Sequence, residues 1–258
     1  MHKNIEQAFI EVLSALGRDT EQHPPDPQKI ISLMDYTYLD DNPTDEKLQH
    51  FQEQLLRYPV AGVCTYAPYF QQLNIPRSIK KSTVVNFPNG QGTLEDVQKE
   101  IITVLPFIDE IDYVLPSAWY IDQASREKAL LDCQKIYKLC QSHDKTLKVI
   151  LEIGNVQDPE VIYTISCEII KQSGCDFLKT STGKTTIGAT PLAVYAILQA
   201  ILDTNKTCGI KVSGGIRNIE QAWLYIQLAS YCLKKQVDKQ WFRIGASSLL
   251  DTIGLINF

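Results

Sequence analysis

Three ionisable residues interrupt runs that are otherwise apolar: Asp112 in EIDYVL (110–115), Lys179 in CDFLKT (175–180) and Lys211 in CGIKVS (208–213). A lone charge inside a core is costly, so lysines in such places call for a chemical reason. On neighbouring strands, about 4.8 Å apart, the two ammonium groups repel, and burial also opposes charge. Both effects push one lysine toward the neutral amine. A neutral amine attacks a carbonyl to form a Schiff base, and a second cation beside it is an activating device. The resulting iminium is an electron sink for breaking a neighbouring carbon–carbon bond. Asp112 would then move a proton, directly or through water.

Such chemistry needs elements that bring the three side chains together. The same pattern recurs along the chain: a short β-branched or apolar run, a polar turn, then a helical stretch. The other five runs are SLMDYT (32–37), VAGVCTY (60–66), STVVNF (82–87), TLKVILE (146–152) and WFRIG (241–245), giving eight strands in all. Helix starts follow several of them. Thr44 precedes Asp45 and Glu46, Thr93 precedes Glu95 and Asp96, and Asp158-Pro159 and Thr190-Pro191 put a capping side chain before proline. Alternating strands and helices imply a parallel sheet. Eight units in 258 residues predict an α/β fold, a (β/α)8 TIM barrel over 31–258 with an extra N-terminal helix in a helical extension over 1–30. An open doubly wound sheet is the alternative, but its G-x-G-x-x-G fingerprint is missing after the first strand. The Pro-rich HPPDP (23–27) is the joint between extension and barrel.

In a barrel, reactive groups gather at the C-terminal strand ends. Polar residues late in the eight strands are Asp35, Thr37, Cys64, Asn86, Asp112, Lys148, Glu152, Lys179, Lys211 and Arg243. Plain structural readings compete for several of them. Asp35 could cap a strand, Cys64 could be inert packing and Arg243 a structural cation. Lys148 and Glu152 share strand parity, so an ion pair between them is as natural as catalysis. SGGIRN (213–218) and IGASSL (244–249) follow strands seven and eight, where phosphate-binding barrels hold their anion. There Gly214, Gly215 and Gly245 allow close backbone approach, and Ser247 and Ser248 supply hydroxyls. The GKT of FLKTSTGKTT (177–186) is not a P-loop, because Leu178 stands where the motif requires glycine. Its small residues still offer backbone N–H groups to an anion.

Composition narrows the class. A net charge of −5 without a long basic run argues against nucleic-acid and anionic-membrane partners. The seven cysteines include no Cys-x-x-Cys pair and suit buried thiols in a reducing cytoplasm. Glu6 and Glu11 break the apolar core that a signal peptide would need. Ile5, Phe9, Val12, Leu13 and Leu16 instead follow helical spacing. No apolar run reaches transmembrane length. The four histidines lie off the proposed strand ends, so no metal is expected, and the amine chemistry requires no cofactor.

In order along the chain stand LMDYT, VNFPNG, EIDYVLP, LKVILEIG, DFLKTSTGK, GIKVSGGIR and RIGASSLL. Together they closely resemble the deoxyribose-phosphate aldolases, a class I, Schiff-base family, over about residues 31–252. KTSTGK is the most specific of these motifs. The resemblance implies reversible cleavage of 2-deoxy-D-ribose 5-phosphate to D-glyceraldehyde 3-phosphate and acetaldehyde. It implies Lys179 as the Schiff-base lysine, Lys211 as the residue that lowers its pKa, and Asp112 as the proton-relay acid. Asp35 and Thr37 match positions near the substrate hydroxyls, Cys64 a pocket cysteine and Lys148 a support of the relay. Thr182 lies within KTSTGK, and Gly183, Lys184, Gly214, Gly215, Ser247 and Ser248 match the phosphate loops. The expected partners are a small sugar phosphate and acetaldehyde. The N-terminal segment is expected to close the barrel bottom or to sit at a homodimer interface. The second-strand segment VCTYAPYF matches the family only loosely. No tyrosine follows Tyr231, whereas some members use a tail tyrosine in proton transfer, so that step is expected to be managed differently here. The rival readings are a Schiff-base aldolase for another sugar phosphate and a catalytically silent phosphosugar-binding barrel.

Overall fold

Every one of the eight β-branched runs holds a strand. They are β1 (Met34–Tyr38), β2 (Gly62–Thr65), β3 (Lys80–Val85), β4 (Glu110–Val114), β5 (Thr146–Ile150), β6 (Phe177–Lys179), β7 (Gly209–Ser213) and β8 (Phe242–Ala246). In the computed structural model, which describes residues 4–19, 24–156 and 158–255, the strands are parallel and neighbour one another in chain order. β8 pairs back onto β1, with Met34 opposite Ile244 and Asp35 opposite Gly245. This closure makes a (β/α)8 barrel and excludes the open sheet.

The helices are α1 (Ile5–Asp19), α2 (Pro27–Ser32), α3 (Asp45–Arg57), α4 (Leu94–Val104), α5 (Gln123–Gln141), α6 (Pro159–Glu168), α7 (Pro191–Thr204), α8 (Ile219–Leu233) and α9 (Leu249–Gly254). Their starts are the capped ones expected. Thr44, Thr93 and Thr190 accept the backbone N–H of Lys47, Asp96 and Ala193, and Asp158 accepts that of Glu160. The His23 end of the Pro-rich joint lies outside the described residues. Its other end caps α2 through Asp26, which accepts from Lys29 N–H. The boundary drawn at residues 30/31 therefore falls inside α2, where Ile30 and Ile31 are both fully buried. α1 lies on the outer helical layer against α6, α7 and α8, with the Phe9 and Tyr195 rings 5.4 Å apart.

The apolar core lies between strands and helices. Ile111, Leu147, Val149, Leu178, Ile210 and Val212 are fully buried there. Because strand side chains alternate, the residues between them point into the barrel: Glu110 and Asp112, Lys148, Lys179 and Lys211. The barrel interior is thus charged. Among the described residues no helix is long and apolar enough to cross a membrane.

Candidate active site

Strand register delivers the charged residues to one another. Lys148 is the β5 partner of Asp112, and Lys179 the β6 partner of Lys211, which in turn lies beside Arg243. Asp112 is the hub. Its Oδ2 accepts from Lys179 Nζ at 2.7 Å and from Lys211 Nζ at 2.8 Å. Its Oδ1 accepts from Lys148 Nζ at 3.0 Å and Ser82 Oγ at 2.8 Å. The Cys64 thiol lies 3.7 Å from Oδ2. Below this layer, Asp35 takes Lys211 at 2.7 Å and Arg243 at 2.5 Å. Glu110 takes Lys148 at 2.5 Å and Arg243 at 3.2 Å. Neighbouring glycines make room: a Cβ on Gly62 would stand 2.7 Å from Asp35 Oδ1, and one on Gly245 3.1 Å from Lys211 Cε.

The electrostatics follow from this packing. Burial works to raise the Asp112 pKa, but the ammonium groups of Lys148, Lys179 and Lys211 outweigh it and hold the carboxyl well below its ordinary value. Asp35 is lowered in the same way by Lys211, Arg243 and Lys148 against its burial. For Lys211 burial opposes the charge, yet Asp112 and Asp35 prevail and push its pKa up. The bare repulsion expected between Lys179 and Lys211 is thus replaced by a shared carboxylate, and Lys211 is held as the cation. The Cys64 thiol is pushed up, chiefly by burial, so it is no ready nucleophile.

A cavity of about 280 Å³ opens at the C-terminal strand ends. Lys179 is the one lysine of the buried cluster that reaches it. Thr37, Thr182, Gly183, Lys184, Gly214, Gly215, Gly245, Ser247 and Ser248 complete the expected set on its wall. Gly183, Gly214 and Gly215 have φ of +81°, +93° and +78°, which only glycine adopts freely. A Cβ on Gly245 would also meet Ser213 Cβ at 2.8 Å, so this glycine serves close packing inside the barrel as well. Asp35, Cys64, Asp112, Lys148 and Lys211 are fully buried beneath the cavity. For Asp35 the expected proximity to substrate hydroxyls is not what the geometry offers, because its carboxylate is held by Lys211 and Arg243. The expected Lys148–Glu152 pairing is also absent. β5 ends at Ile150, and Glu152 turns into the left-handed region at φ +51°, which breaks the strand parity. A larger cavity, about 700 Å³, opens at the opposite end among the first residues of β3, β4 and β5. It does not reach Lys179, so the smaller cavity is the chemically relevant one.

The sequence family described as DeoC/LacD family aldolase matches residues 29–253. The chain belongs to this aldolase family. A solved deoxyribose phosphate aldolase from Aeropyrum pernix, described as tetrameric, is 25% identical to it. The alignment covers 94% of this chain and 97% of that one at a TM-score of 0.73. The aldolase QR15 is 24% identical, with 86% and 92% covered and a TM-score of 0.71. A Coccidioides immitis structure with the same fold is 21% identical, with 98% of both chains covered and a TM-score of 0.76.

The aldolase also contains residues that sequence reasoning passed over. Arg217 lines the cavity beside Gly215. It stands within the quoted SGGIR, and its place in a phosphate-type loop was the available signal. Ser82 and Glu110 complete the partners of Lys148. Ser82 opens a run read only for its apolar residues, and Glu110 shares strand parity with Asp112, which was the clue. Among the described residues of the aldolase no group of three or more His, Cys, Asp or Glu is arranged to hold a metal ion.

Proposed function

We propose that this aldolase cleaves 2-deoxy-D-ribose 5-phosphate reversibly to D-glyceraldehyde 3-phosphate and acetaldehyde through a Schiff base on Lys179. The observation that carries the reading is that Lys179 alone joins the buried charge cluster to the cavity. The substrate phosphate docks on the loops after β7 and β8, with Gly183 and Lys184 from the loop after β6. Lys179 Nζ condenses with the aldehyde carbon and water leaves. Asp112, with water and Lys211, takes the proton of the hydroxyl on the third carbon. The bond between the second and third carbons breaks, and its electron pair enters the enamine on Lys179. Protonation and hydrolysis then release acetaldehyde. Lys211, anchored by Asp35 and Asp112, remains the cation that disfavours charge on its neighbour. The likeness to the Aeropyrum pernix enzyme supports this choice of substrate. The reading includes a homodimer, which sedimentation velocity of the full chain tests.

Borohydride reduction with acetaldehyde, followed by peptide mapping, tests the mechanism. The expected adduct is on Lys179; no adduct, or one on Lys184, overturns the assignment. Activity on fructose 1,6-bisphosphate with none on deoxyribose phosphate would instead favour another sugar phosphate. Phosphosugar binding with no turnover would leave a silent barrel.

A further inference from the structure

Glu152 stands just past β5, 8% exposed and outside the cavity wall. Its backbone is left-handed, at φ 51° and ψ 59°, a conformation that glycine adopts without strain. The backbone on both sides is tied to the end of β6, Leu151 N–H to Lys179 O at 2.9 Å and Ile153 N–H to Thr180 O at 3.0 Å. So held, its side chain reaches the irregular loop 180–190. Oε2 accepts from Thr182 N–H at 3.2 Å and from the Thr182 hydroxyl in a short hydrogen bond. Oε1 accepts from the Thr185 hydroxyl at 3.1 Å. The Thr182 hydroxyl accepts in turn from Lys184 N–H at 3.1 Å. Gly183 and Lys184 are therefore bracketed by Thr182 and Thr185, both pinned to one buried carboxylate.

We propose that Glu152 is the positioning residue that sets the loop after β6 in its phosphate-binding form. It acts on the phosphate end of the substrate and not on Schiff-base formation. This rests on the reading of the cavity as a sugar-phosphate site. Lys179 belongs to the strand, and its amine is held by Asp112, so it does not depend on the loop. Hydrogen bonds to a charged acceptor are strong. The loop's other ties at Ser181 and Ala189 hold its flanks, and from within 182–185 the hydrogen bond that leaves the loop, other than those to Glu152, is Lys184 Nζ to Leu39 O. Glu152→Ala removes three at once. Glu152→Gln keeps an amide oxygen for Thr182, and its NH2 faces a Thr185 hydroxyl that can turn to accept.

The test is calorimetric titration with inorganic phosphate, paired with kcat/KM on 2-deoxyribose and its 5-phosphate. For Glu152→Ala, phosphate affinity should fall by at least about tenfold, and kcat/KM should fall for the phosphorylated substrate only. Glu152→Gln should recover affinity to within about threefold of the unmodified protein. Thr185→Val, which deletes the Oε1 contact together with the Thr185 hydroxyl's contact to Ile187 O, should fall between the two and serves if Glu152→Ala does not fold. Equal losses on both sugars, or unchanged phosphate affinity, overturn the proposal. If neither sugar is cleaved but phosphate binding still depends on Glu152, the substrate reading fails and this one stands. If the unmodified protein binds no phosphate, both fail.

Discussion

Asp112 gathers three ammonium groups onto two oxygens, so each lysine's state depends on the others. Removing Lys211 deletes a cation beside Lys179 and leaves Asp112 freer to stabilise the Lys179 ammonium. Lys211→Leu should therefore shift the rate optimum upward by on the order of one pH unit. It should also lower kcat by about a hundredfold, since Lys211 takes part in the proposed proton transfer. A pH–rate profile of the variant checks this, and an unmoved optimum would refute the coupling. The three central residues were legible in the sequence because charge inside an apolar strand is rare. That the Asp112 carboxylate bridges the two lysines was not legible, since it comes from a strand more than sixty residues away in the chain. The Asp35–Arg243 contact was hidden for the same kind of reason, because the two residues stand far apart along the chain.

Loops after β6 and β7 meet backbone to backbone. A Cβ on Gly188 would stand 2.2 Å from Gly214 O, and Ala189 N–H donates to that same oxygen at 3.0 Å. No side chain is available there to swing aside. Gly188→Ala should push the two phosphate-type loops apart, at a cost of about 1–3 kcal/mol in stability. KM for the sugar phosphate should rise by about tenfold or more with this loss of loop hydrogen bonding. Denaturant midpoints and steady-state kinetics measure both effects; a variant normal in each would mean the loops are not set by this contact. At this scale the sequence was most readable. Strands and capped helix starts are local, fixed by alternation and by one side chain bonding two or three residues ahead. The left-handed turn at Glu152 was missed because a glutamate carries no local signal for that conformation.

Across the molecule, the buried cluster makes stability depend on pH. Asp112 and Asp35 have lowered folded-state values, so their contribution is full above the unfolded value, near 4, and is lost as pH falls below it. Each group changes stability by at most about 1.4 kcal/mol per pH unit in that window. The urea midpoint should drop steeply as pH falls below about 4, and less steeply in Asp112→Asn. Parallel slopes would count against the cluster as the source. Lys211 has the opposite sign. Its raised value keeps its contribution in full below 10.5 and loses it only as pH climbs above that. The N-terminal helix adds its part through packing, with Ile5, Phe9 and Leu16 buried against the outer layer. Phe9→Ala should cost about 3 kcal/mol by chemical denaturation, while leaving KM unchanged.

Alternation of strand and helix was enough to read eight βα units, because periodicity and capping act over a few residues, while the β8–β1 pairing that closes them into a barrel is a tertiary contact. Residue types and motifs marked Lys179, Lys211 and Asp112 as the proposed chemical centre, and the three are in contact in the fold. Which lysine reaches the cavity was a tertiary matter. Lys179 ends its strand and opens onto the cavity, whereas Lys211, its register partner on β7, is fully buried and ion-paired to Asp35 and Asp112. The difference arises from where the strands end, β6 at Lys179 and β7 two residues past Lys211, and from carboxylates contributed by distant strands. Neither is written in the spacing of residues along any one of them.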